Sequence, residues 1–313
     1  MNRAFLFPGQ GSQAVGMGKA LADAFVPARE VFQEVDDALS QRLSRLMWEG
    51  PEDDLTLTEN AQPAIMALSI AIIRVLQKEA GLDLGRHARL VAGHSLGEYS
   101  ALSAAGAFSL ADTARLLKTR GQAMQSAVPV GEGAMIALIG ADIDVAEAVA
   151  KEAAGDDVCV VANDNAPGQV VLSGAKAAMD RVPDIAKAKG VKRAIPLSVS
   201  APFHCSLMQP AADVMADALA KVSIRPLAVP VLSNVTAQEA SEPEIVRRLL
   251  VEQVTSRVRW RESMLALRGL LVDTTIEMGG NKVLTGMMRR IDKEIQATAL
   301  DTPAEIEAFA KGL

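Results

Sequence analysis

The chain is short of the residues that several common functions require. Aromatic residues make up only 3% of its 313 residues, so Ala, Val, Leu and Ile must do most of the packing. There are two cysteines, Cys159 and Cys205. Neither belongs to a C-x-x-C pair and no histidine cluster stands beside them, so both are read as reduced thiols and no metal site is expected. Net positive charge is lacking too: the net charge is -6, which argues against a nucleic-acid partner, whose affinity would come from clustered Lys and Arg. No apolar run is long enough for a bilayer. The longest, Ala61 to Leu76, is interrupted by Gln62, Pro63 and Arg74, so no membrane span is expected. The opening MNRAFLFPGQGSQ has its apolar run broken by Pro8, unlike a signal peptide. Low-complexity tracts and repeats of solenoid period are absent. These exclusions leave a soluble, cytoplasmic protein as the expectation.

What is present is a chain that is 50% hydrophobic, enough for one large domain with a smaller one inserted, or for two domains. Ala4 to Phe7 reads as a buried strand entering a Gly-rich turn, and Ala64 to Glu79 as a helix. Leu90 to Ala92 reads as a strand running into GHSLG and then a helix, Glu98 to Ala105. Strand, tight turn and helix in that order point to an α/β layer. The middle of the chain changes character. Ala134 to Ile139 reads as a strand, and Val145 to Ala154 as a helix ended by Gly155. Val158 to Ala162 and Gln169 to Ser173 read as strands joined by the turn-rich NDNAPG. Met179 to Lys189 reads as a helix and Val191 to Val199 as a strand. This βαββαβ order predicts a ferredoxin-like unit over 130–198, inserted into a core formed by 1–129 and 199–313. Further strands are expected at Val229 to Leu232 and Thr275 to Met278.

Gly93-His94-Ser95-Leu96-Gly97 matches G-x-S-x-G. A nucleophile on a sharp strand-to-helix turn brings the residues on either side of it together, so side chains in place of the glycines would clash. The turn exposes the serine hydroxyl at a helix N-terminus, where backbone N–H groups can stabilise developing negative charge. A serine nucleophile needs a base, and the chain has only three histidines. His87 lies in the charged segment GRHAR and reads as a solvated loop residue. His94 abuts Ser95, but neighbouring side chains on an extended segment point apart, so it reads as packing behind the turn. His204, in SAPFHCSLM, is the base by elimination. Several Asp residues lie between Ser95 and His204, yet none stands in a motif that would place it, so no carboxylate third member is expected.

Six motifs now stand in one order: PGQGSQ from Pro8, GHSLGEYSAL from Gly93, RGQAMQ from Arg120, NDNAPGQVVLSG from Asn163, SAPFHCSLM from Ser200 and GGNKVLTGM from Gly279. Together they resemble the malonyl-CoA:acyl carrier protein transacylases over essentially the whole chain. The resemblance implies a hydrolase-like α/β core with an inserted ferredoxin-like subdomain. It also implies transfer of a malonyl group from malonyl-CoA to the phosphopantetheine thiol of holo acyl carrier protein, supplying fatty acid biosynthesis. Ser95 would be acylated and His204 would be its general base and acid. Gln10 and Leu96 would lend backbone N–H groups to an oxyanion hole. Arg120 would bind the free malonyl carboxylate with a fork that Lys could not reproduce. The backbone carbonyl of Gln253 would orient His204, and Asn163 would sit at the active-site edge of the small subdomain. Phe203 resembles the bulky choice of malonyl-selective relatives. No metal or other cofactor is implied.

Two places depart from the family pattern. QVTSRVRW puts Arg257 where proline is usual, and GGNKVL puts Gly280 and Asn281 where Pro and Gly are usual. Asn tolerates left-handed backbone angles, so the second turn is expected to survive. A serine esterase or lipase fits less well: the HGGG-type oxyanion motif is absent and over a third of the chain follows His204. A polyketide-type acyltransferase using another acyl-CoA is the nearer alternative. An acidic carrier protein would be drawn to local positive charge. Lys187, Lys189, Lys192 and Arg193 form one candidate group, and Arg289 with Arg290 a second.

Overall fold

In this computed structural model, residues 2–199 and 201–313 are described. Ser200, the first residue of the SAPFHCSLM stretch, lies outside them. Among the described residues ten strands form two sheets. In chain order they are β1 (Arg3–Phe7), β2 (Leu90–Gly93), β3 (Gly133–Ile139), β4 (Cys159–Ala166), β5 (Gln169–Ala175), β6 (Arg193–Pro196), β7 (Val231–Leu232), β8 (Glu239–Ala240), β9 (Thr274–Met278) and β10 (Gln296–Leu300). The first sheet has the order β10-β9-β1-β2-β7-β8 and the second β4-β5-β3-β6. The first is parallel except where β8 pairs with β7. Its central strands are apolar without alternation, and β2 is buried at every residue, because helices cover both faces.

The register decides where the loops meet. Phe7 pairs with Gly93 and Ala92 with Leu232, so β1, β2 and β7 end side by side at one edge of the sheet. Three loops leave from that edge: the Gly-rich turn after Phe7, the Ser95 turn after Gly93, and Ser233-Asn234 after Leu232. Ligands of open α/β sheets lie at the carboxyl ends of the strands for this reason.

The second sheet is antiparallel throughout. Its order, with helices Ile143–Ala154 and Lys176–Ala188 between strands, is that of the ferredoxin-like unit. Those two helices pack Val149, Met179 and Val182 against Ile136, Leu138 and Leu172. The fold class is the α/β architecture expected from the sequence, with several boundaries displaced. Helix Thr58–Ala80 starts earlier than Ala64 and contains Pro63. One missing donor in its second turn is tolerated because burial of nearly the whole helix supplies its stability. NDNA is not turn but the end of β4, which stays paired through two register shifts, leaving Pro167 and Gly168 to reverse the chain. The strand expected over 191–199 is only Arg193–Pro196, an edge strand.

The second sheet is tied at β4 to the chain segment around Val258. Val258 N–H donates to Ala162 O at 2.8 Å, and Asp164 N–H to Val258 O at 3.0 Å. Arg261 pairs with the buried Asp164 carboxylate at 2.8 Å. Arg257, at the site of the departure noted above, reaches Glu147 Oε1 at 2.7 Å, and so ties its own loop to the helix after β3.

The tightest packing lies under the G-x-S-x-G turn. A Cβ at Gly93 would fall 1.9 Å from the Gly97 carbonyl, and one at Gly97 would fall 2.1 Å from Phe7 O. Both obstacles are backbone and cannot swing aside. Gly97→Ala should therefore destabilise the protein by about 3 kcal/mol, the upper range for overpacking. Gly286→Ala, on a helix with open space around it, should be neutral or stabilising. Thermal denaturation of the two variants checks this; an unchanged melting temperature for Gly97→Ala would contradict the contact.

Candidate active site

Ser95 stands between β2 and helix Leu96–Ala104 with φ 53° and ψ -111°. A non-glycine residue held there stores about 1–3 kcal/mol of strain, so its surroundings must over-determine it. They do. His94 N–H donates to Phe7 O at 3.0 Å, and Gly97 N–H to His94 O at 2.9 Å. From the third strand end, Asn234 accepts Ser95 N–H at its Oδ1 (2.8 Å) and donates from Nδ2 to Gly93 O (2.7 Å). One amide thus pins both sides of the turn.

His204 is also held in the left-handed region, with φ 58°. Its Nε2 lies 2.8 Å from Ser95 Oγ and its Nδ1 2.9 Å from Gln253 O. A carbonyl only accepts, so Nδ1 carries the proton and Nε2 presents its lone pair to the serine hydroxyl. The ring is 4% exposed. Burial, reinforced by the charge of Arg120, pushes its pKa down to about 3.

Arg120, on helix Leu110–Ser126, is 1% exposed. It donates from Nη1 to Gln62 Oε1 (2.9 Å) and from Nη2 to Gln253 Oε1 (2.8 Å) and Ser95 Oγ (3.1 Å). Its carbon Cζ lies 5.6 Å from the centre of the Tyr99 ring. Burial lowers its pKa, yet a guanidinium starts so high that it remains charged. All three of its hydrogen-bond partners are uncharged. A buried cation held this way is set up to receive an anion.

These groups open onto a cavity of about 300 Å³, also lined by Gln10, Leu96, Met124, Met135, Asn163 and Phe203. Gln10 follows β1 and Leu96 follows Ser95, so the Phe7–Gly93 pairing carries both to one rim. Neither residue's backbone N–H donates to a protein acceptor among the described residues. A hydroxyl with a neutral imidazole, two backbone donors and a buried cation can carry out acyl transfer on an acyl group that bears its own negative charge.

A family model for the acyl transferase domain matches residues 4–300. The chain belongs to the acyl transferase domain family. It is similar to the malonyl CoA-acyl carrier protein transacylase of Bacillus subtilis, at 44% identity covering 97% of this chain and 95% of that protein. The Escherichia coli protein of the same name is 43% identical, with 97% of each covered. Among solved structures, an acyl-carrier-protein-S-malonyltransferase from Bartonella henselae superposes with a TM-score of 0.97 at 54% identity, covering 100% of this chain and 99% of that one. A type II PKS acyl-carrier protein in complex with its malonyl-transacylase matches with a TM-score of 0.96 at 40% identity, with 100% of both chains covered.

Each site residue singled out in the sequence of this acyl transferase lies in or around the one cavity: Ser95, His204, Gln10, Leu96, Arg120, Asn163 and Phe203 line it, and Gln253 stands behind His204. His94 is more than packing behind the turn. It lines the same cavity, its Nε2 lies 2.7 Å from Asn165 Oδ1, and its ring is 5.5 Å from that of Trp260. His87 ends the short helix Leu84–His87, with Nδ1 accepting Asp83 N–H at 3.0 Å. Both cysteines are buried free thiols. Asn281 adopts φ 57°, and its Nδ2 holds Ser12 O at 3.2 Å. No helix among the described residues is long and apolar enough to cross a membrane.

Three contributors were not legible in the sequence: Asn234, Gln62 and the side chain of Gln253. Gln62 left a faint signal, as a polar residue inside the longest apolar run; Asn234 left none. The depressed His204 pKa leads to a pH prediction. The imidazole is already neutral far below its usual range, so serine acylation should stay flat between about pH 5 and pH 8 and fall only at lower pH. Stopped-flow acylation rates across that range check it. An acid limb near about pH 6.5, the solution value of histidine, would show that the ring is solvated.

Proposed function

We propose that this chain moves a malonyl group from malonyl-CoA to the phosphopantetheine thiol of acyl carrier protein, as an S-malonyltransferase supplying extender units for fatty acid biosynthesis in the cytoplasm. The observation that carries it is Arg120: a buried guanidinium with only uncharged partners, one nitrogen of which lies 3.1 Å from Ser95 Oγ. An acyl group attached to that oxygen has the cation beside it, and malonyl differs from acetyl chiefly by its free carboxylate. The family relatives named above support the same substrate.

Two half-reactions follow. His204 Nε2 takes the Ser95 proton as Oγ attacks the thioester carbonyl, and the backbone N–H groups of Gln10 and Leu96 hold the oxyanion. The tetrahedral intermediate collapses, the C–S bond breaks, and the CoA sulfur leaves with the proton from His204. His204 next deprotonates the carrier's thiol, whose sulfur attacks the malonyl-serine ester. Ester becomes thioester again, and His204 returns the proton to Ser95 Oγ. Thioester is exchanged for thioester, so the overall step runs close to equilibrium. Asn163 and Phe203 line the acyl pocket, and the Gln253 carbonyl keeps the His204 tautomer.

The catalytic core is assigned to 1–129 and 199–313 and the ferredoxin-like subdomain to 130–198. A separate hydrophobic cluster in the latter supports that division. For the carrier, the exposed Lys187, Lys192, Arg193 and Arg289 are the better candidates. Lys189 is paired with Glu152 at 2.7 Å, and Arg290 is bound to Gln169 Oε1 and Pro167 O.

Incubation with malonyl-CoA should add one malonyl group, mapping to Ser95 by peptide mass spectrometry, and Ser95→Ala should gain none. An adduct on Cys205, or faster acylation by another acyl-CoA, would replace this assignment, the second in favour of a polyketide-type enzyme. Removing Arg120 should cost malonyl transfer roughly 2–5 kcal/mol, the range for breaking a buried charge pair. Acetyl transfer should be spared in Arg120→Ala, and Arg120→Lys should fall between. The measurement is kcat/KM for malonyl- and acetyl-CoA in the three proteins; an equal loss for both substrates would make Arg120 structural.

A further inference from the structure

One buried carboxylate takes no part in the steps above. Glu98 sits one helical turn beyond Ser95 and is 2% exposed. Its Oε2 accepts Gln253 Nε2 at 2.6 Å and the backbone N–H of Asn234 at 3.3 Å. Burial raises its pKa to about 7, against the pull of those two hydrogen bonds and of the Arg120 charge. No cation forms an ion pair with it among the described residues, which is an expensive way to keep a carboxylate inside a protein.

The Gln253 amide explains what the carboxylate does. That amide has one acceptor end and one donor end, and the two are not interchangeable here. Oε1 faces Arg120 Nη2, a donor, at 2.8 Å. Nε2 faces acceptors: Glu98 Oε2 at 2.6 Å and Ser95 O at 3.0 Å. Turned over, the amide would set its NH2 group against the guanidinium and its oxygen against the carboxylate. Glu98 contributes the shortest contact that forbids this turn. The backbone carbonyl of Gln253 itself accepts from His204 Nδ1 at 2.9 Å.

We propose that Glu98 is a positioning residue for acyl selection: by fixing the Gln253 amide it aims Arg120 at the acyl group on Ser95, and so favours acyl groups that carry a free carboxylate. The inference rests on the malonyl-transfer assignment above. Its effect passes through Arg120, so it must appear in the ratio of malonyl to acetyl transfer and not only in the total rate.

The experiment compares kcat/KM for malonyl- and acetyl-CoA in wild type, Glu98→Leu, Glu98→Asp and Glu98→Gln, each with and without Arg120→Ala. Glu98→Leu should lower the malonyl-to-acetyl ratio about tenfold. Glu98→Asp, whose carboxylate stops a methylene short of Gln253, should lower it less, and it carries the test if the leucine variant does not fold. Glu98→Gln keeps an oxygen for the Gln253 amide and should recover most of the ratio. In the Arg120→Ala background the Glu98 substitutions should leave the ratio unchanged. A wild-type ratio in the folded Leu and Asp variants would overturn the proposal, and so would a ratio change that survives the loss of Arg120. Failure of wild type to take up malonyl on Ser95 would sink the transfer assignment itself, a separate result.

Discussion

The close approach of Gly97 to the Phe7 carbonyl is the constraint on which the rest of the site depends. It lets helix Leu96–Ala104 start directly over the end of β1, which forces the chain at Ser95 into a conformation that an L-residue adopts only under duress. Once the turn is closed, Ser95 Oγ, the Leu96 N–H and the Gln10 N–H share one rim, because β1 and β2 are paired at Phe7 and Gly93. The strain is stored in a turn anchored from both flanking strands, by the Phe7 carbonyl on one side and by Asn234 on the other.

Electrostatics in the site follow from what surrounds each charge. His204 has a carbonyl behind it where many serine enzymes place a carboxylate. A carbonyl fixes the tautomer without supplying a negative charge, and Arg120 nearby further disfavours imidazolium. Burial is the larger cause and the guanidinium the second, so the ring stays neutral and presents its Nε2 lone pair to Ser95. Arg120 is complementary to that design. Its partners Gln62, Gln253 and Ser95 engage Nη1 and Nη2 without neutralising the charge, and Nε has no acceptor among the described residues. Gln253 links the two ionisable groups, with its main chain on His204 and its side chain on Arg120.

The second sheet reaches the site where β4 overruns the turn expected for it. Its last residues bring Asn163 to the cavity, Asp164 to Arg261 and Asn165 to His94. Three successive side chains thus serve as cavity wall, buried ion-pair partner and neighbour of the Ser95 turn. Arg257 adds an ion pair to Glu147 across the same seam.

Periodicity and turn chemistry were enough to reveal the α/β core, the βαββαβ unit and the G-x-S-x-G turn, because each is a local pattern: an apolar strand, a glycine where no Cβ fits, a helix ended by Gly155. Three histidines made the partner of Ser95 a short search. Helix Thr58–Ala80 and strand β4 run past their local punctuation for one reason. Pro63 and NDNAPG are punctuation in isolation, and burial or cross-strand pairing overrides them in the fold. Asn234 and the Gln253 side chain carry no local signature, and Gln62 only the faint one of a polar residue in an apolar run. Asn234 reaches Ser95 across 139 positions of sequence, and Gln253 reaches it across 158. The sequence alone determined which chemistry the chain can perform, since that depends on residue types within short motifs. Only the tertiary structure decided how the groups are aimed and charged, since burial and hydrogen bonding between distant segments exist only after three strand ends have been brought to one edge of a sheet.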